Sequence, residues 1–112
     1  MIVLGIESSC DETAAALVRD GHEVLASTIS SQVQLHAGYG GVIPELAARE
    51  HLRNISPVID ATLEKASLDL NQVDAVAVTS NPGLIPALLV GNAYAKGIAA
   101  AKQIPLVGIN HF

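Results

Sequence analysis

Apolar residues run from Met1 to Ile6 and then stop. A short stretch of small and acidic residues follows, Glu7-Ser8-Ser9-Cys10-Asp11-Glu12, and residues 13–18 are apolar again. This pattern reads as strand, tight polar turn, strand. Asp20-Gly21 is a second hairpin signal, so residues 2–7, 13–19 and 23–30 are predicted to form an antiparallel meander of three strands. From Pro44, a residue suited to a first helical turn, the period changes. Ile55, Val58, Ile59, Leu63 and Ala66 recur at helical spacing, with Leu46 and Ala47 on the apolar side. Glu45, Arg49, Glu50, His51 and Arg53 are expected on a solvated face. Pro57 either kinks one long helix or opens a second one with Ser56 as its N-cap. Residues 74–80 read as a buried strand that follows a helix and is therefore parallel. Asn81-Pro82-Gly83 breaks it, a helix spans 84–102, and residues 105–109 form the last strand. Gly91 and Gly97 predict close backbone packing in that last helix, since glycine otherwise weakens a helix. The order is β-β-β-α-β-α-β, an α/β mixed sheet with right-handed connections.

The chain has 112 residues, the length of one domain. Charged residues make up 15% of it, against roughly 25% in typical soluble domains. Hydrophobic residues make up 50% and the mean hydropathy is positive. This apolar excess predicts a sheet covered on both faces together with surface that belongs against something else. The net charge is −5 and the six Lys and Arg residues are scattered, which excludes this segment as a major nucleic-acid-binding surface by itself. Cys10 is the only cysteine, so no internal disulfide forms, which fits a reducing, cytoplasmic compartment. Met1 leads straight into a strand pattern without a signal-peptide signature. The most membrane-like run, residues 83–101, is interrupted by Pro86, Asn92 and Lys96 and reads as a buried helix.

The first turn is the richest in chemistry. A turn of this kind brings backbone N–H groups and the Ser8 and Ser9 hydroxyls together, and oxyanions such as phosphates bind such groups. Asp11 and Glu12 would repel a bare phosphate, so the turn suggests a nucleotide with a cation. A hairpin with an ordinary solvated tip is the plain alternative. His22 sits at the second turn and reads as solvated. Residues 32–41, with His36, Tyr39 and three glycines, read as a loop that serves a site or an interface. Cys10 stands beside two carboxylates, which disfavour a thiolate, so it reads as a small structural residue.

The β-β-β-α-β-α-β order resembles one lobe of the actin-like, ribonuclease H-like ATPase fold shared with sugar kinases. The motifs are more specific. Gly5-Ile6-Glu7-Ser8-Ser9-Cys10-Asp11-Glu12-Thr13, Ser31-Gln32 with His36-Ala37-Gly38-Tyr39-Gly40-Gly41, Val42-Ile43-Pro44-Glu45-Leu46-Ala47, Pro82-Gly83-Leu84 with Leu88-Leu89-Val90-Gly91, and Asn110-His111 resemble the TsaD family. These are tRNA threonylcarbamoyladenosine transferases, formerly called O-sialoglycoprotein endopeptidases (Gcp). Members are two-lobed and about three times as long, so residues 1–112 are expected to be the N-terminal lobe only.

The resemblance implies acyl transfer: threonylcarbamoyl moves from threonylcarbamoyl-adenylate to the adenosine adjacent to the anticodon of tRNA. It implies Asp11 and Glu12 as catalytic orienting groups, Ser8 and Ser9 as substrate-binding, and His111 as a metal ligand. The metal would be iron, with zinc the alternative. It further implies a nucleotide held between two lobes, a TsaB-like paralogue as heterodimer partner, and a TsaE-like ATPase. Taken without the family, His111 reads as a strand-end surface residue. The amine is itself nucleophilic, so no protein nucleophile is needed. A peptidase would need a catalytic nucleophile or a His-Glu-x-x-His helix, and the sequence has neither. The alternatives are a non-catalytic dimerisation module, docking through the helix around Leu46, Leu52 and Ile55, and an actin-like kinase lobe. The isolated chain is expected to be inactive.

Overall fold

The computed structural model describes residues 1–8, 12–31, 44–81 and 85–110. Strands β1 (Ile2–Glu7), β2 (Glu12–Arg19) and β3 (Glu23–Ser31) form the expected antiparallel meander. Helix α1 (Pro44–Ala66) leads to β4 (Ala75–Asn81), and helix α2 (Ile85–Lys102) to β5 (Leu106–Asn110). The sheet order is β3-β2-β1-β4-β5, with β4 parallel to both β1 and β5. Asp20 and Gly21 both take positive φ, 54° and 78°, as the tight β2–β3 turn requires. Pro57 lies inside one continuous α1, which settles the kinked-or-split alternative in favour of a single helix. A short 3-10 turn, Leu70–Gln72, was not expected from the pattern. Asp69 caps it by accepting from the Asn71 N–H, while Gln72 accepts from the Asp69 N–H.

The topology decides where the helices go. The β3-to-β4 and β4-to-β5 crossovers both step in the same direction across the sheet. Right-handed crossovers in the same direction place both helices on the same face. Accordingly α1 packs on β2 and β3, α2 packs on β4, and the helices pack on each other. Leu4, Ile6, Leu17, Val76 and Val78 meet Ile55, Val58 and Ile59 of α1 and Ala95 and Ile98 of α2 in one core. Burying each Leu- or Val-sized side chain contributes about 1.5–3 kcal/mol.

The opposite face carries no helix among the described residues, which corrects the expectation of a sheet covered on both sides. Val24 and Ile29 on β3 are each 63% exposed, and Val107 and Ile109 on β5 are 52% and 48% exposed. Two further expectations change. His51, assigned to the solvated face of α1, is fully buried. It lies four residues before Ile55, on the same stripe as Ile59 and Thr62. Gly97 has open space around its Cα and is not a close-packing position, whereas Gly91 is one. Among the described residues no helix is long and apolar enough to cross a membrane.

Candidate functional site at the carboxyl rim of the sheet

β1, β4 and β5 are parallel, so their last residues, Glu7, Asn81 and Asn110, share one edge of the sheet. β2 is antiparallel to β1 and starts on that same edge with Glu12. Strands lie about 4.8 Å apart, so the edge from the start of β2 to the end of β5 spans about 14 Å. The segment joining Glu7 to Glu12 and the segment following Asn110 therefore both begin on one rim. Loops at the carboxyl ends of parallel strands are where open α/β sheets bind ligands.

The ends of the acidic turn are fastened from the covered side. Ser8 is buried; its hydroxyl donates to the Ala87 carbonyl at 2.8 Å and accepts from the Gly91 N–H at 3.1 Å, both on α2. A Cβ at Gly91 would stand 2.3 Å from Ser8 Oγ, which is why this helix needs glycine there. Thr13 is fully buried, and its Oγ1 lies 2.6 Å from Nδ1 of His51 on α1. Glu12 precedes Thr13 and, by strand alternation, projects from the other face; it is exposed.

On the bare face the rim continues into a shallow trough of about 330 Å³. Its floor is Gly5, Ala14, Ala16 and Ala77, and Ile29 and Ile109 form its banks. Glu7 and Thr79 close the trough at the rim, where Thr79 Oγ1 donates to Glu7 Oε2 at 2.6 Å. Glu7 and Glu12 thus stand on one face, on neighbouring strands. Glu7 is a rim carboxylate that the sequence reading passed over, because it was taken only as the end of a strand. At the opposite edge the Met1 ammonium bonds to Asp20 at 2.8 Å, lowering the Asp20 carboxyl and raising the α-amine.

Of the expected site residues, Ser8 and Glu12 are described. Ser9, Asp11 and His111 lie outside the described residues, as do Cys10, His36 and Tyr39. The described residues contain no group of three or more His, Cys, Asp or Glu side chains able to hold a metal ion. A metal centre needs several such donors, so the described part of the chain does not by itself fit the iron or zinc expected at His111.

Comparison with known proteins gives this rim its context. Two solved structures share the fold: YeaZ from Pseudomonas aeruginosa, and a Pseudomonas aeruginosa protein described as similar to peptidase YeaZ. Both superpose with a TM-score of 0.74 at 22% and 24% identity, over 97% of this chain and 42% and 43% of theirs. This shared fold is of the actin-like, ribonuclease H-like kind. Proteins described as tRNA N6-adenosine threonylcarbamoyltransferases from Geobacter sulfurreducens, Geobacter metallireducens and Fusobacterium nucleatum are 60%, 58% and 55% identical over 111 residues. Each alignment covers 99% of this chain and 33% of the relative, so the chain spans about a third of the length of the curated relatives it matches. The family profile described as TsaD, tRNA N6-adenosine threonylcarbamoyltransferase, matches residues 23–112, and the chain belongs to that family.

Proposed function

We propose that this chain supplies the acidic rim of an N-terminal lobe that transfers threonylcarbamoyl from threonylcarbamoyl-adenylate to the adenosine adjacent to the anticodon of tRNA. The observation that carries this reading is the shared edge. Glu7, Glu12, Asn81 and Asn110 end or begin strands on one side of the sheet, and in the sequence Asp11 directly precedes Glu12 while His111 directly follows Asn110. In this reading Asp11 and Glu12 orient the substrate and the water or amine that exchanges a proton. Ser9 and the backbone of the turn meet phosphate or acyl oxygens, and Ser8 holds the turn in place. Orientation of a neutral amine against an activated acyl group supplies most of such a catalysis. His111 would be one ligand of an iron or zinc ion. A nucleotide in this fold lies between two lobes, so the lone chain is read as inactive. A TsaB-like partner, a TsaE-like ATPase and a cytoplasmic location belong to the same reading.

The test is a graft. The N-terminal third of a full-length relative is replaced by this chain, and tRNA nucleosides are analysed by mass spectrometry. The graft is expected to form threonylcarbamoyladenosine, and the 112-residue chain alone to form none. An inactive graft that nevertheless folds, or turnover by the lone chain, would overturn the reading.

A further inference from the structure

We infer that His51 is a positioning residue for Glu12, acting through Thr13; the inference rests on the role proposed for Glu12. His51 continues the buried stripe of α1 occupied by Ile55, Val58, Ile59 and Thr62. An aliphatic side chain would fill that place without a polar group to satisfy. Burying an amide- or hydroxyl-like group without a partner costs about 1–3 kcal/mol on mutational scales. The imidazole is therefore present for what it bonds, and at Nδ1 that is Thr13 Oγ1 at 2.6 Å. Thr13 is the first inward-facing residue of β2, and Glu12 is its neighbour on the rim. Successive strand residues face opposite ways, so fixing Thr13 against α1 fixes the direction in which Glu12 leaves the sheet. Ser8 does the same at the other end of the turn, against α2. Ser8 and Thr13 are thus each held by a hydrogen-bonded clamp, one on each helix.

A clamp that serves only stability behaves differently from one that sets Glu12. Thr13→Val removes the hydroxyl while keeping the branched shape of the side chain. Set against Thr13→Ser, and with Thr13→Val/His51→Leu as a second variant, it separates the two roles in the 112-residue chain itself. The measurements are the chemical-denaturation midpoint, amide hydrogen exchange at Glu12 and Thr13, and the NMR shift of the Glu12 carboxyl carbon. We expect Thr13→Val, and the double variant with it, to show at least a tenfold loss of exchange protection at Glu12 and Thr13. The carboxyl signal of Glu12 should move while β5 amides stay as they were. Thr13→Ser retains the hydroxyl and should restore both signals. If His51→Leu does not fold on its own, Thr13→Val against Thr13→Ser carries the same comparison. Wild-type protection and an unmoved Glu12 signal in the double variant, or a uniform loss across all strands, would overturn the inference. The readout needs no catalysis, so a failed graft and a failed clamp are told apart.

Discussion

The two faces of the sheet are built from the same alternating strands and carry opposite chemistry. The covered face holds Leu4, Ile6, Leu17, Val76 and Val78, together with the polar side chains Ser8, Thr13, His51 and Thr62, all buried. Each of those polar groups is bonded. Thr62, for example, donates to the Val58 carbonyl at 2.7 Å and lies 2.9 Å from Thr28 Oγ1. Among the described residues no buried side-chain nitrogen or oxygen lacks a partner. The bare face is the reverse: small residues in the trough, exposed Ile29 and Ile109 on its banks, Ser27 beside them, and the polar side chains Glu7, Glu12 and Thr79 at the rim. The difference teaches that burial on this sheet follows crossover direction and not strand composition. Both faces are apolar enough to be core, and among the described residues only one has helices over it.

Substitutions on the two faces should therefore diverge. The largest effect is expected at Leu4, fully buried between the sheet and the helices: Leu4→Ala should lower unfolding free energy by about 2–5 kcal/mol. Ile29→Thr on the bare bank should change it by no more than about 0.5 kcal/mol. Equal losses in a denaturant titration would erase the distinction.

A second contrast runs along α2. Gly91→Ala drives a Cβ into Ser8 Oγ and should cost about 1–3 kcal/mol. Gly97→Ala meets nothing within 4 Å and should stabilise by about 1 kcal/mol through helix propensity. Opposite signs in thermal melts are the outcome that sharpens the picture.

The smallest effect is electrostatic and lies at the far edge of the sheet. The ammonium of Met1 holds the Asp20 carboxyl below its usual 3.8, so that contribution is present above this value and fades as pH falls through the lowered one. Asp20 in turn raises the amine above 8.0, so the reciprocal contribution is present below pH 8.0 and fades as pH rises through the raised value. The contribution of this pair should be flat from about pH 5 to about pH 7, fall slightly outside that range, and be absent once the amine is acetylated. Both groups are exposed, so the change should be minor.

Much of this architecture was legible in the sequence, for physical reasons. The strands and helices show in the period of their apolar residues, and Asp20-Gly21 and Asn81-Pro82-Gly83 mark their ends. The close approach at Gly91 showed as a glycine inside a helix, although the same signal at Gly97 had no such cause. His51 was hidden because it stands among Arg49, Glu50 and Arg53, and charge masked a stripe that the spacing from His51 through Ile55 to Ile59 carries. Asp69 with Gln72 is a capping box, but a single 3-10 turn has no apolar period to draw attention to it. The engagement of Ser8 depends on a helix more than eighty residues away along the chain, a contact that local pattern does not encode. The bare face was not visible in composition, which counts apolar residues without saying which side they take.

The most direct test of the central claim acts on Glu12 in the grafted enzyme. Groups that move or orient protons contribute roughly 100-fold to 10,000-fold to such rates. Glu12→Ala should lower threonylcarbamoyladenosine formation at least 100-fold while the protein stays folded and keeps its affinity for tRNA. A folded Glu12→Ala graft that modified tRNA at the unsubstituted rate would contradict the placement of the chemistry at this rim.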